Sequence, residues 1–198
     1  MNLKIGILAF QGAIDEHMDM LSHCGVNGVK IKDGEELKKV DGLIIPGGES
    51  TTIGSFLNRR DMVKPIKEFA ADGNPVMGTC AGLVLLARYI EGQDKTYLDL
   101  MDIKVKRNAF GRQKESFEAY LEIPQLGEKG YKGVFIRAPY ITDMGEKVQE
   151  LANFDGKTVA AKEKNILVGS FHPELTEDSR WHEYFVKMVH DSANVSVR

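Results

Sequence analysis

Residues Gly78, Thr79, Cys80, Ala81 and Gly82 set a cysteine between two glycines, with an apolar run before the group and another after it. G-x-C-x-G between a buried strand and a helix is the cysteine counterpart of the hydrolase G-x-S-x-G elbow. Such a turn forces its central residue into a strained backbone and projects its side chain above the sheet edge, while flanking glycines relieve the crowding. A thiol held there meets the positive end of the following helix, which favours the thiolate. Taken alone, the same five residues also fit an inert core cysteine. Cys24, at the end of an amphipathic segment and without glycine flanks, reads as structural.

A cysteine nucleophile needs a base, and the base needs a group to orient it. Of the five histidines, His17, His23, His182 and His190 fall on helical segments among charged residues, where a solvated surface position is expected. His172 differs. It follows the apolar run ILVGSF and opens His172-Pro173-Glu174, so it stands at a strand end on the rim where the elbow should open. Glu174, two residues on, can reach the second ring nitrogen, fix the tautomer and stabilise the imidazolium. By itself H-P-E is equally a loop; with the elbow it makes a candidate Cys, His, Glu triad. A third piece is IIPGGEST, residues 44–51, where Gly47 and Gly48 expose backbone N–H groups suited to an oxyanion hole. A tight turn would use the same residues. A phosphate-binding loop would need the Lys-Ser/Thr of a P-loop or a G-x-G-x-x-G run, and neither is present.

The elements around these residues repeat one pattern. LKIGILAF reads as a strand running into QGA and a helix with Ile14, Met18 and Leu21 on one face, stopped near Gly25. GVKIK reads as a short strand, and DGLIIPGG as a strand buried on both faces. STTIGSFLNRRDM then opens a helix with Ser50 as N-cap, KPIKEFAADG forms another, NPVMGTC is a third buried strand, and AGLVLLARYI continues as a helix. Strands that deliver glycine-containing turns into helices predict a parallel sheet flanked by helices. The second half is mainly β: MDIKVKRN, SFEAYLEI, YKGVFIRAP, TVAAKEKN and ILVGSFHPE have strand length and strand patterning. The chain closes on a helix with Trp181, Tyr184, Phe185, Met188 and Val189 along one face.

Composition narrows the classes. A chain of 198 residues suits a single domain, 1–198, around one central sheet. A formal charge of -3 offers no basic excess for a phosphate backbone, so no nucleic-acid partner is expected. No apolar run approaches the ~18–20 residues that span a bilayer, and the N-terminus lacks the apolar length and cleavage site of a signal peptide, so a cytoplasmic protein with no membrane partner is expected. Two distant cysteines without C-x-x-C spacing or clustered histidines argue against a metal site and against a structural disulfide.

Elbow, H-P-E and P-G-G-E together resemble the class I (triad) glutamine amidotransferases. The finer set LAFQGA, PGGEST, GTCAGL, RNAFGRQ followed by SFE, FIRAP and SFHPELTED is similar to the glutaminase subunits of pyridoxal 5'-phosphate synthases. The resemblance implies a three-layer, flavodoxin-like α/β fold with a mostly parallel central sheet and added antiparallel strands in the second half. It makes Cys80 the nucleophile, His172 the general base and acid, and Glu174 the orienting carboxylate. Gly48, Glu49, Ser50, Arg107, Ile136 and Arg137 would bind L-glutamine, and Gly47, Gly48, Ala81 and Gln11 would form or activate the oxyanion hole. It further implies no metal and no bound cofactor, and a partner in the barrel-shaped synthase subunit of a large hetero-oligomer. The glutaminase that serves imidazole-ring formation in histidine biosynthesis shares fold and triad. A cysteine hydrolase on a related scaffold, or a binding module that has lost activity, is a further alternative.

Overall fold

The computed structural model describes residues 3–108 and 116–195. Its elements in chain order are β1 (Lys4–Leu8), α1 (Ile14–His23), β2 (Asn27–Ile31), α2 (Gly34–Leu37), β3 (Gly42–Ile45), α3 (Ser50–Arg59), α4 (Val63–Ala71), β4 (Val76–Thr79) and α5 (Ala81–Leu86). The second half adds β5 (Ala87–Ile90), β6 (Met101–Lys106), β7 (Ser116–Leu121), β8 (Tyr131–Ile136), β9 (Tyr140–Met144), β10 (Gln149–Phe154), β11 (Lys157–Glu163), β12 (Ile166–Gly169) and α6 (Arg180–Val195).

The main sheet runs β2-β1-β3-β4-β12-β11-β9-β6-β5, with β10 also on β11, while β7 and β8 pair separately. The first five strands of that order are mutually parallel. Their carboxyl ends therefore open on one rim, and the turns after β1, β3, β4 and β12 meet there. β11 is antiparallel to β12, β9 and β10. The chain is thus the mixed α/β sheet that the resemblance implied.

Alternation within each short strand explains why both faces are covered. Leu43, Ile45, Val76 and Val168 point to one apolar layer with α3, α4 and α5, while Ile44, Met77 and Leu167 point to the other with Leu21, Phe185 and Val189. Successive strand residues face opposite ways, so a strand buried on both sides must be apolar at every position. All four residues of β3, β4 and β12 are buried. The final helix docks as its spacing predicts, with Trp181, Phe185 and Val189 fully buried. Trp181 meets Phe171 edge-on at 5.0 Å between ring centroids.

The structure differs from the sequence reading in three respects. The helix after Cys80 ends at Leu86, and residues 87–90 form β5 beside β6. The carbonyls of Leu85 and Leu86 accept the N–H groups of Leu98 and Leu100 at 3.0 Å each, so the last turn is satisfied by a crossing segment and the chain leaves it for a strand. The N-cap of α3 is Glu49 rather than Ser50. The strands β9 and β10 were not anticipated: each buries only one or two side chains, too few to write an alternation. Among the described residues, no helix is long and apolar enough to cross a membrane.

Phe185→Ala should remove a fully buried ring from the interface between α6 and the sheet. A loss of about 3–5 kcal/mol is expected, read as a lower midpoint in urea unfolding; an unchanged midpoint would contradict this packing.

Candidate active site

Cys80 has φ 49° and ψ -102°, a left-handed backbone that costs a residue with a Cβ about 1–3 kcal/mol. Close approach of the flanking glycines holds the turn. A Cβ on Gly78 would lie 2.6 Å from the backbone carbon of Gly82, and one on Gly82 would lie 2.1 Å from the carbonyl oxygen of Ile45. The Cys80 N–H donates to Gly169 O at 2.8 Å, locking the elbow to the end of β12. G-x-C-x-G is therefore an elbow here because larger residues at either glycine would strike backbone.

Three residues beyond Gly169, His172 is buried, and its N–H donates to Val134 O at 2.7 Å. Its Nδ1 lies 2.7 Å from Oε1 of Glu174, which the 3-10 turn Pro173–Leu175 carries. With Nδ1 facing the carboxylate, Nε2 is left for the thiol. The ring packs on Gly47, where a Cβ would come within 2.5 Å of His172 Cε1. Burial pushes His172 down, but its hydrogen bonds with Cys80 and Glu174 and the charges of both outweigh it, raising the imidazole to about 10. Cys80, His172 and Glu174 thus stand in one buried line. The Cys80 thiol also donates to Ile136 O at 3.8 Å.

A cleft of about 420 Å³ opens over the thiol. Gly48, Glu49, Ser50, Ala81, Arg107, Ile136 and Arg137 border it together with Cys80 and His172. Gly47 lies behind the histidine ring. Gln11 is joined to the same loop, its side-chain oxygen accepting the Glu49 N–H at 3.1 Å. Arg137 has φ 45°, a kink directly after the Ile136 carbonyl that meets the thiol.

Glu49 does two jobs. Its carboxylate caps α3, accepting from Thr52 N at 2.8 Å, Thr51 N at 3.3 Å and both threonine hydroxyls. It also meets Arg107 Nη2 at 3.3 Å. The hydrogen bond from the Thr51 hydroxyl is the largest influence on this carboxyl; partial burial opposes it, and Thr52 and the two N–H groups add to it, holding the group down to about 2.

Two of the histidines expected at the surface, His17 and His182, are fully buried. His17 Nε2 is 3.4 Å from Oε2 of Glu174. The signal was present in the spacing: His17 lies three residues after Ile14 and four before Leu21, on the apolar stripe of α1. His182 lies three before Phe185. Cys24 is half-buried, and burial and then Glu183 push its thiol up to about 11. Residues 109–113 of the RNAFGRQ segment lie outside the described residues.

The family model of the SNO glutamine amidotransferase family matches residues 7–191. The chain belongs to this family. It is similar, at 50% identity over 194 residues, to the pyridoxal 5'-phosphate synthase subunit PdxT of Geobacillus thermodenitrificans, covering 98% of this chain and 99% of that one. The same subunit of Brevibacillus brevis is 52% identical over 187 residues, covering 94% and 97%. A solved structure described as a glutamine amidotransferase matches with a TM-score of 0.90 at 40% identity, over 94% of this chain and 98% of that chain. A glutamine amidotransferase from Thermotoga maritima shares the fold at 11% identity and a TM-score of 0.63, over 98% and 86%. As a member of the SNO family, the chain is a glutaminase, an enzyme that hydrolyses an amide.

Glu49→Ala should cost about 0.5–2 kcal/mol, the usual worth of an N-cap. Because the folded carboxyl is depressed, the cap's charge-dependent stabilisation is present above the ordinary carboxylate value and is lost as pH falls toward 2. The stability gap between wild type and variant, followed by thermal melts, should therefore be open at pH 6 and close on acidification. A gap independent of pH would refute the charged cap.

Proposed function

We propose that the chain is the glutaminase subunit of a pyridoxal 5'-phosphate synthase, with Cys80 as nucleophile, His172 as general base and acid, and Glu174 as the orienting carboxylate. The buried line Cys80, His172, Glu174 at the floor of the cleft carries this reading. The names of the relatives at half identity favour vitamin B6 over imidazole-ring synthesis.

L-Glutamine enters with its side chain toward the thiol. Its α-carboxylate faces Arg107 and Arg137, whose planar forks suit a carboxylate, and its α-ammonium faces Glu49. His172 holds the Cys80 proton as imidazolium, and the thiolate attacks the side-chain amide carbon. Negative charge collects on the amide oxygen. The Cys80 N–H is already given to Gly169, so the elbow's donor is the N–H of Ala81, the residue after the nucleophile, and the loop's donor comes from Gly48. Gln11, tied to the next amide of that loop, adjusts its geometry. The tetrahedral adduct collapses, the C–N bond breaks, and ammonia departs with the proton from His172. A γ-glutamyl thioester remains. Water then attacks it, His172 takes the water proton, and glutamate leaves as the thiol is restored.

Ammonia released into water at neutral pH is protonated and diluted. Delivery through an enclosed path to a docked synthase barrel, in a large cytoplasmic hetero-oligomer, preserves it. The whole chain serves as one glutaminase domain, and its chemistry calls for no metal or bound cofactor.

Cys80→Ala should abolish glutamate release from glutamine while the complex with the synthase barrel still makes product from added ammonium. Glu174→Gln should keep a measurable residual rate, since it preserves shape and removes charge. Glutamine hydrolysis retained by Cys80→Ala would falsify the triad.

A further inference from the structure

Behind the triad lies a second pair of imidazoles that the reaction above does not use. His17 on α1 and His182 on α6 are both fully buried, with His17 Nδ1 2.8 Å from His182 Nε2. The other nitrogen of His17, Nε2, lies 3.4 Å from Oε2 of Glu174 and 3.3 Å from Oγ1 of Thr79, the residue before the nucleophile. Burial, then the neighbouring His182 and His172, hold His17 well below its ordinary value, and burial lowers His182 to about 3. Each ring is therefore neutral and carries one N–H.

The positions of those two protons follow from the acceptors. A carboxylate only accepts, and Oε2 of Glu174, 3.4 Å from His17 Nε2, has no hydrogen-bond partner among the described residues. A buried carboxylate oxygen without a donor is costly, so the proton of His17 belongs on Nε2. Nδ1 is then bare and must receive the N–H of His182 Nε2. That leaves His182 Nδ1 without a proton, in keeping with its having no partner among the described residues. A bare acceptor there costs less than an orphaned N–H. The contacts run from His182 through His17, Glu174 and His172 to Cys80, with the Glu174 carboxylate as the acceptor between the two imidazoles.

We propose that His17, locked as its Nε2–H tautomer by His182, is a positioning residue that holds the second oxygen of Glu174 and so keeps the first on His172. Neutrality is part of the device. A positively charged His17 would draw the charge of Glu174 away from His172, whereas a neutral donor fixes the carboxylate and leaves its charge for the imidazolium. Among the described residues, the titratable and polar groups that face His17 from the neighbouring elements are Glu174, His172, His182 and the hydroxyl of Thr79.

The inference rests on the triad reading, and its test separates the two. With the full chain in complex with the synthase barrel, His17→Leu should lower kcat for glutamine about ten- to a hundredfold, by analogy with the outer partners that orient metal-bound histidines. KM and ammonium-dependent synthesis should hold, and His17→Gln, which restores a neutral N–H donor, should recover most of the loss. Selective nitrogen-15 labelling of the histidines in the wild-type chain should show His17 protonated on Nε2 and bare on Nδ1. A wild-type kcat in His17→Leu, a loss not recovered by Gln, or an Nδ1–H tautomer would overturn the proposal, and the spectrum decides it even where the leucine variant does not fold. An inactive Cys80→Ala beside a fully active His17→Leu would sink this inference alone; an active Cys80→Ala would sink the triad.

Discussion

Cys80 keeps a left-handed backbone that no local preference supports, and the rest of the site is arranged around what holds it there. Gly78 lies against Gly82, Gly82 against the Ile45 carbonyl, and the Cys80 N–H on the Gly169 carbonyl. Three parallel strands, β3, β4 and β12, are therefore joined at the point of strain. Register follows from the same contact. Gly169 pairs with Thr79, so the residues just beyond it, including His172, leave the sheet beside the nucleophile. The oxyanion loop leaves β3 on the other side and packs Gly47 against the histidine ring. One elbow thus sets the position of base and loop together.

The electrostatics follow from burial. Glu174 and His172 are both nearly closed to solvent, where an unpaired charge is costly and a paired one is strongly felt. Hydrogen bonds with Cys80 and Glu174, and the charges of both, overcome the burial penalty on His172, so its protonated form is favoured. His17 and His182 are buried more fully and do not contact Cys80, and they are driven to neutrality instead. Complete burial dominates His17 and His182, whereas the hydrogen bonds of His172 with Cys80 and Glu174 outweigh its own burial.

How much of this was legible depends on whether a residue's role is local. The elbow, the H-P-E turn and the P-G-G loop are short and announce themselves through glycines that only a close approach requires, and the doubly buried strands through unbroken apolar runs. The helix at residues 81–90 was overread because its last carbonyls are satisfied from Leu98 and Leu100, a long-range fact that periodicity does not contain. Glu49 rather than Ser50 caps α3 because two N–H groups and two hydroxyls converge on its longer carboxylate. The histidines of the second layer read as solvated in the sequence, since charged neighbours mask their place on the apolar stripes. Their partners lie 62 and 165 residues away, beyond any local pattern.

The second half of the chain is more than an extension of the sheet. β8 pairs with β7 outside the main sheet, which leaves its other edge with backbone groups to satisfy. Carbonyls two residues apart on a strand point the same way. On that edge Val134 O accepts the His172 N–H at 2.7 Å and Ile136 O accepts the Cys80 thiol at 3.8 Å. A single strand edge therefore touches both base and nucleophile, and the kink at Arg137 that follows turns the chain along the cleft with its guanidinium-bearing residue at the border. The parallel half supplies the reacting groups, and the hairpin supplies a wall that is bonded to them. Any displacement of that hairpin is transmitted to the triad through two backbone oxygens, so substrate enclosure and nucleophile geometry are set by the same piece of backbone.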